Sequence, residues 1–327
     1  MIEEALIARV RADCSLDPDY GPPLGIAVSG GPDSLALLLL AHAAMPGQIH
    51  AATVDHGLRP ESAGEAQFVA EVCSKIGVPH AILPVTVEPG NTQAQARAAR
   101  YEALGTYFVH KCVLAFATAH HADDQAETLL MRLNRGSGLA GLAGVRPWSI
   151  FFPEGAAAEM LLLRPLLGWR RAELAQIVAD AGIVPVHDPS NTDDTYERAR
   201  MRKAIADAEW LDPAAMARSA RYLAEAEEVV GRAVRDVVQD CCTWEDGGCY
   251  FQWGHARLTE IGAVTHILER LGARDIRKSE VARMIDRLRA KENASLGGVL
   301  GRRMMYRVSD RLSRDVMRFE AEPARKA

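Results

Sequence analysis

Residues 24–28, LGIAV, form a short apolar run that stops at Gly30-Gly31, and residues 33–45, DSLALLLLAHAAM, follow at once with helical character. An apolar run of that length bounded by glycines reads as a buried strand. Asp33 and Ser34 suit a helix start, and Pro46-Gly47 ends it. The chain then repeats the unit. Residues 49–54 predict a second strand, 61–76 a helix ending before Gly77, and 78–87 contain a third strand. Residues 92–108 have helical period, VLAFATA (113–119) is a fourth strand, and 122–134 a helix. Strands without polar alternation, separated by helices, imply a doubly wound, mostly parallel α/β sheet covered on both faces.

After Gly155 the pattern changes. Residues 171–181 predict a helix closed by Gly182, then a polar loop, HDPSNTDD, then a helix over 195–208 with an arginine-heavy face. Helices follow at 213–239, 256–272 and 278–291, and a strand-like pair, VLGRRMMYRVS and RDVMRFE, ends the chain. Trp210, Asp212 and Pro213 interrupt the pattern. The expected division is therefore a catalytic domain over 1–212 and a smaller, mainly helical domain over 213–327, as a length of 327 residues allows.

Charge separates the halves. The net charge is −5, but residues 213–327 hold 21 basic and 17 acidic side chains, and residues 274–327 hold 15 and 8. A basic C-terminal part beside an acidic catalytic part fits a polyanionic partner; a solvated helical face is the plainer alternative. The longest apolar stretch, Leu35–Ala41, is seven residues, far short of a membrane span. The start, MIEEALIARVRADC, has no apolar core of a secretory signal. Six cysteines without paired spacing point to a reducing cytoplasm.

The chemistry concentrates in Ser29-Gly30-Gly31-Pro32-Asp33-Ser34. Two glycines let backbone approach a ligand, and the N–H groups of a helix start point outward, which makes a nest for phosphate. The lysine of a Walker loop is absent, so neutralisation falls to Mg²⁺ or arginine, with Asp33 as the carboxylate for the metal. A tight turn with an aspartate at a helix start is the alternative.

SGGPDS in this setting resembles the PP-loop of the ATP pyrophosphatases that cleave ATP between its α and β phosphates. Further segments narrow the resemblance: Val54-Asp55-His56-Gly57-Leu58-Arg59; the run His120-His121-Ala122-Asp123-Asp124-Gln125-Ala126-Glu127-Thr128; Arg132 to Leu139; Arg164-Pro165-Leu166-Leu167; Asp188-Pro189-Ser190-Asn191; and Arg198-Ala199-Arg200-Met201-Arg202. In this order, over about residues 20–205, they resemble the tRNA(Ile)-lysidine synthetase family, in a short form.

The resemblance implies an enzyme that adenylates the wobble cytidine of a CAU anticodon at its C2 oxygen, releases pyrophosphate, and then joins lysine to C2 with loss of AMP. Its substrates are ATP, L-lysine and tRNA(Ile), and the assembly is open between monomer and homodimer. The resemblance assigns ATP to Ser29, Gly30, Gly31, Pro32, Asp33, Ser34, Val54, His56 and His121. It assigns catalysis to Asp33, Asp124, Glu127, Arg198 and Arg200, and substrate binding to Asp124, Glu127, Arg97, Arg100 and Arg202.

The residue types suit these roles. Asp124 and Glu127 stand i, i+3 at a helix start, on one face, as a cationic amino acid requires; dipole-favoured surface charges are the alternative. Free lysine titrates near ~10.4, so something must manage its proton before attack. Arginine forks suit phosphate, although surface salt bridges would equally explain Arg97 and Arg100. The family motif R-N-R-x-R has Ala199 here in place of Asn, which puts the amide's role in doubt and keeps all three cations. His120 at a strand end reads as structural, and Asn191 as ordering its turn.

Other features are weaker. Gly136 to Gly141 satisfies G-x-G-x-x-G but follows a helix, so a dinucleotide reading fails its context. Cys241, Cys242, Cys249 and His255 lack a zinc spacing. Trp244, Tyr250, Phe251 and Trp253 suit a small core better than base stacking. Two rival functions remain. A thiolation enzyme of the same superfamily would need a reactive cysteine beside the motifs, and a non-catalytic ATP-binding module would not need Asp33, Asp124 or Glu127.

Overall fold

The computed structural model describes residues 2–14, 23–57, 61–86, 93–154, 159–186, 197–309 and 312–322. Leu58, Arg59, Gly155 and the polar loop with Asp188, Pro189, Ser190 and Asn191 lie outside the described residues. The chain falls into two compact units, Met1–Ala224 and Glu225–Ala327. That division lies inside a long helix, not at the Trp210–Pro213 break expected from sequence.

In the first unit the order is α1 (Glu4–Cys14), β1 (Leu24–Ala27), α2 (Pro32–Ala44), β2 (Ile49–Asp55), α3 (Ser62–Ile76), β3 (His80–Pro84), α4 (Gln93–His110), β4 (Ala115–Ala117), α5 (Ala122–Asn134), α6 (Leu139–Leu142), β5 (Trp148–Phe151), β6 (Met160–Leu163), α7 (Arg171–Asp180) and α8 (Glu197–Asp207). Helix α9 (Pro213–Cys241) runs on into the second unit. The sheet order is β3-β2-β1-β4-β6-β5. All neighbours are parallel except β5 against β6.

The sheet is thus mostly parallel, as expected, but two strands longer on one side than the sequence reading. Strand β6 is only MLLL, and β5 alternates exposed and half-buried residues at the edge, so neither carries a strong pattern of its own. Helix α2 is apolar nearly all round because it is buried nearly all round, from Ser34 to Ala41. It packs with Ile26, Ile49, Val69, Val72, Trp169 and Leu174 in one core. The opposite face holds Leu104, Phe108, Phe116, Met160 and Leu162.

Strand β1 serves both cores. Leu24 and Ile26 enter the first, whereas a Cβ at Gly25 would stand 2.8 Å from the Phe108 ring. Overpacking of this kind costs about 1–3 kcal/mol. Gly25→Ala should therefore lower stability in denaturant unfolding by that amount; an unchanged midpoint would show that Phe108 yields freely.

The second unit is not mainly helical. Strands β7 (Cys242–Glu245), β8 (Gly248–Phe251), β9 (Ala294–Leu296), β10 (Val299–Ser309) and β11 (Leu312–Ala321) form an antiparallel sheet in the order β7-β8-β11-β10-β9. Helices α10 (Arg257–Arg270) and α11 (Lys278–Arg289) share its core: Val264, Ile267, Met284 and Ile285 pack with Phe251, Met317 and Phe319. The mainly helical expectation fails because β7 and β8 are four-residue strands joined at Asp246-Gly247, too short for a visible period. The strand-like pair read from sequence is β10 and β11, in register from Val299↔Ala321. Phe251 is core, and Trp244 and Trp253 pack against it. Among the described residues no helix is long and apolar enough to cross a membrane.

Candidate active site

Strands β1 and β4 lie side by side, with β2 and β3 on the far side of β1 and β6 and β5 on the far side of β4, so the chain order reverses between them. In a doubly wound sheet that reversal opens a crevice at the carboxyl ends of the strands, where ligands bind. Ser29–Ser34 follows β1 and His120–Asp124 follows β4, so the two strongest motifs meet there.

The bend is closed by its own side chains. Gly30 has φ +83°, the left-handed region that favours glycine, and its carbonyl accepts from the Val186 N–H at 3.0 Å. The Ser29 N–H donates to Ser34 Oγ at 3.1 Å, and Ser34 Oγ donates to the Gly31 carbonyl at 3.0 Å. Pro32 occupies the first turn of α2, where a missing N–H costs nothing. This fixes Asp33 at the helix start. Its Oδ2 lies 3.4 Å from His121 Nε2, while its Oδ1 is buried without a hydrogen-bond partner among the described residues. An orphaned carboxylate oxygen beside a phosphate nest fits a Mg²⁺ ligand.

His121 caps α5: its Nδ1 accepts from the Asp124 N–H, and Asp124 Oδ2 accepts from the His121 N–H at 3.1 Å. The ring is 2% exposed and faces Asp33, Asp123 and Asp124. Burial disfavours its charged form, but the Asp33 hydrogen bond and the charges of Asp124, Asp33 and Asp123 outweigh that and raise its pKa. His120 behaves oppositely. Burial, with Arg97, Arg164 and Arg198 outweighing Asp124, pushes it down to about 4.

The two imidazoles should therefore titrate apart. For His120 the unfolded chain takes the proton first, so its contribution lowers stability as pH falls from 6.5 toward about 4. The His121 contribution is fully present below 6.5 and is lost as pH rises through its raised folded pKa. Imidazole NMR titration should give midpoints on opposite sides of 6.5; two midpoints at the ordinary value would contradict this geometry.

The carboxylate pair is real but not bare. Glu127 is 1% exposed, with Oε2 accepting from Arg198 Nε at 2.6 Å and Oε1 from Arg202 Nε at 2.7 Å. Arg198 also donates to Asp124 Oδ1 at 2.9 Å. Burial favours a neutral Asp124, yet His121, Arg198 and His120 hold its carboxyl below the usual range. The arginine triplet is split by helical geometry: Arg198 and Arg202, at i and i+4, face the carboxylates, whereas Arg200 is exposed. Ala199 is buried, so the family's asparagine amide would need a partner there.

The remaining candidates flank this centre. Val54, one residue before the end of β2, is partly buried and packs against the second core. His56 Nε2 accepts from Arg100 Nε at 3.4 Å, and burial and Arg100 lower its pKa. Arg97 donates to Tyr101 Oη at 2.9 Å and lies 3.5 Å from His120 Nε2.

Sequence reasoning missed two supports. Asp123 Oδ2 accepts the Arg171 N–H at 2.8 Å and Arg170 Nε at 3.3 Å, tying the start of α7 to that of α5. Gln125 exchanges two hydrogen bonds of 2.7 Å with the Val145 backbone, and Arg132 donates to the Gly141 and Gly144 carbonyls. The glycine-rich stretch after α5 is thus a held turn. Arg132 to Leu139 carried part of the family resemblance, but nothing in the segment itself showed these bonds.

A family model described as a PP-loop domain matches residues 8–209. With the bend and crevice above, the match defines a PP-loop, ATP-binding α/β protein. The tRNA(Ile)-lysidine synthase of Novosphingobium aromaticivorans is 45% identical over 300 residues, 90% of each chain. That of Zymomonas mobilis is 50% identical over 209 residues, 63% of each, and that of Ruegeria pomeroyi is 37% identical over 318 residues, 92% of this chain and 74% of the relative. The chain belongs to the tRNA(Ile)-lysidine synthase family, which are ATP-dependent ligases. In fold it is similar to the U34-tRNA thiolase NcsA from Methanococcus maripaludis, with a TM-score of 0.56, 16% identity, and coverage of 68% of this chain and 78% of that one.

Proposed function

We propose that this crevice joins L-lysine to C2 of the wobble cytidine of tRNA(Ile) through an adenylated cytidine. The observation that carries this reading is one continuous arrangement: a phosphate nest, an orphaned Asp33 oxygen, and a pair of half-buried Asp124 and buried Glu127 linked to it through His121. The Ser29–Ser34 bend holds the triphosphate, with Val54 and His56 toward the nucleoside. Asp33 would hold Mg²⁺, which supplies positive charge to the departing pyrophosphate. His121, raised toward its charged form, faces the same region. The cytidine C2 oxygen attacks the α-phosphorus and pyrophosphate leaves.

The lysine Nε then forms its bond to C2 and AMP leaves with the C2 oxygen. Asp124 and Glu127 receive the ε-ammonium. Each carboxylate oxygen has a second lone pair beyond its arginine or backbone bond, so lysine can join the cluster. The pair takes the amine's proton as the carbon–nitrogen bond forms. Arg198 and Arg202 hold the carboxylates in place, and Arg200, exposed on α8, meets phosphate. Residues 274–327, whose basic side chains lie partly on β10 and β11, bind tRNA phosphates, as their charge suggests. The reaction runs in the cytoplasm, consistent with free thiols at Cys73, Cys112, Cys241, Cys242 and Cys249.

A thiolation reading finds little support, because no cysteine stands beside Ser29–Ser34 or His120–Thr128. Incubation of tRNA(Ile) with ATP labelled at the α-phosphorus, without lysine, tests the proposal. Labelled tRNA should form, and added lysine should release label as AMP and leave a nucleoside heavier by one condensed lysine. Label appearing on lysine, or on neither substrate, would refute the adenylated-cytidine route.

A further inference from the structure

His121 and Asp124 stand at the first turn of α5, and the placement of that turn is set from outside the helix. A helix start leaves its first N–H groups without partners inside the helix. The Asp124 N–H turns back to His121 Nδ1 at 3.4 Å, but the Ala122 N–H donates to the Trp169 carbonyl at 2.8 Å. The next two residues of the same segment, Arg170 and Arg171, hold the Asp123 carboxylate. Three consecutive residues, where the turn after β6 meets α7, therefore fix the start of α5.

That segment is in turn held by α1. Trp169 is fully buried. Its indole Nε1 donates to Asp13 Oδ2 at 2.8 Å, and the Arg9 guanidinium carbon lies 3.9 Å from the ring centroid. Arg9 also donates to the Gly168 carbonyl at 2.7 Å and to Glu173 Oε1 at 2.8 Å, while Glu173 Oε2 accepts the Arg170 N–H at 2.6 Å. On the other side, α1 grips α2: Val10 is buried in the core that α2 fills, and Arg11 Nε donates to the Ala44 carbonyl at 3.0 Å. Helix α2 carries Asp33 at its start. One helix far from the crevice thus spans the two elements whose side chains meet as Asp33 and His121, 3.4 Å apart.

A buried tryptophan needs apolar neighbours and one acceptor for its N–H. Trp169 has more. A carboxylate at its edge and a cation on its face fix the tilt of the ring as well as its depth. Its own carbonyl is committed to α5.

We propose that Trp169 is a positioning residue of the reaction and that Asp13 and Arg9 are its clamp, which together set His121 and Asp124 at their distance from Asp33. The three act through the Ala122 N–H. This deepens the lysidine-forming reading and rests on it.

Asp13→Leu removes the acceptor and leaves the indole N–H buried, whereas Asp13→Asn keeps an amide oxygen for it. The full chain is assayed for pyrophosphate release from ATP with tRNA(Ile). Asp13→Leu should lower kcat about 10- to 100-fold, the scale of a small misplacement caused far from the chemistry. The KM for ATP should change little, because the glycine bend is closed by its own bonds. Asp13→Asn should restore most of the rate. Hydrogen exchange should quicken at the Ala122 amide in Asp13→Leu and stay as in the wild type along residues 35–40 of α2. A folded Asp13→Leu variant with wild-type kcat and unchanged Ala122 exchange overturns the proposal, however far its denaturation midpoint falls. Equal losses in Asp13→Leu and Asp13→Asn overturn it too. If Asp13→Leu does not fold, Arg9→Met takes its place, at a side chain 35% exposed, with the same expected and overturning results. Wild-type protein that releases no pyrophosphate would sink the underlying reading instead, and the Ala122 exchange is read without any activity.

Discussion

Asp33→Ala is expected to reduce pyrophosphate release by about 100- to 1,000-fold, the scale on which a positioned charge-stabilising group acts. The argument is geometric. Asp33 is held by a bend whose serines bond to each other and to backbone, so its carboxylate cannot relax away from the nest. One oxygen meets His121 and the other meets nothing among the described residues. Alanine removes both the oxygen assigned to the metal and the hydrogen bond that keeps His121 toward its charged form. The His121 midpoint should therefore fall in the same variant while that of His120 stays near 4, which separates local loss from unfolding. Near-normal pyrophosphate release at saturating Mg²⁺ would contradict the role given to Asp33.

The second large effect is selective. Asp124→Asn should raise the KM for lysine by about 10- to 100-fold, as the loss of a charged hydrogen bond implies, while the KM for ATP changes little. Asparagine is chosen because its carbonyl still accepts the His121 N–H that starts α5, so the helix survives. Arg198 keeps Glu127 as a partner. The negative charge facing the ε-ammonium is removed, and with it one of the three carboxylate charges that raise the His121 pKa. Steady-state kinetics with each substrate varied in turn measures the effect, and equal shifts in both KM values would place lysine elsewhere.

These sites differ in how far the chain announces them. The bend was legible because its signals are local: an apolar run, two glycines and an apolar helix, all within residues 24–45. Helix α5 was read with its observed bounds for the same reason. The arginine cover on the carboxylates was not legible, since Arg198 reaches Glu127 across 71 positions of sequence. Only the helical phase of α8 shows that Arg202 joins it and Arg200 does not. Gly25 likewise looks like a weak spot in a strand until Phe108 is seen against it. In the second unit the helices were visible, but β7 and β8 pair through a hairpin whose strands are shorter than any reliable period. The other partner of β8, β11, lies more than sixty residues away, so the sheet is a tertiary fact.

The account stands or falls on where the triphosphate sits. A co-crystal structure with α,β-methylene ATP measures that directly. The account expects phosphate oxygens against the backbone N–H groups of Ser29–Ser34, with the α-phosphorus on the side of Asp33 and His121. A triphosphate lodged away from that bend, with Ser29–Ser34 untouched, would contradict it.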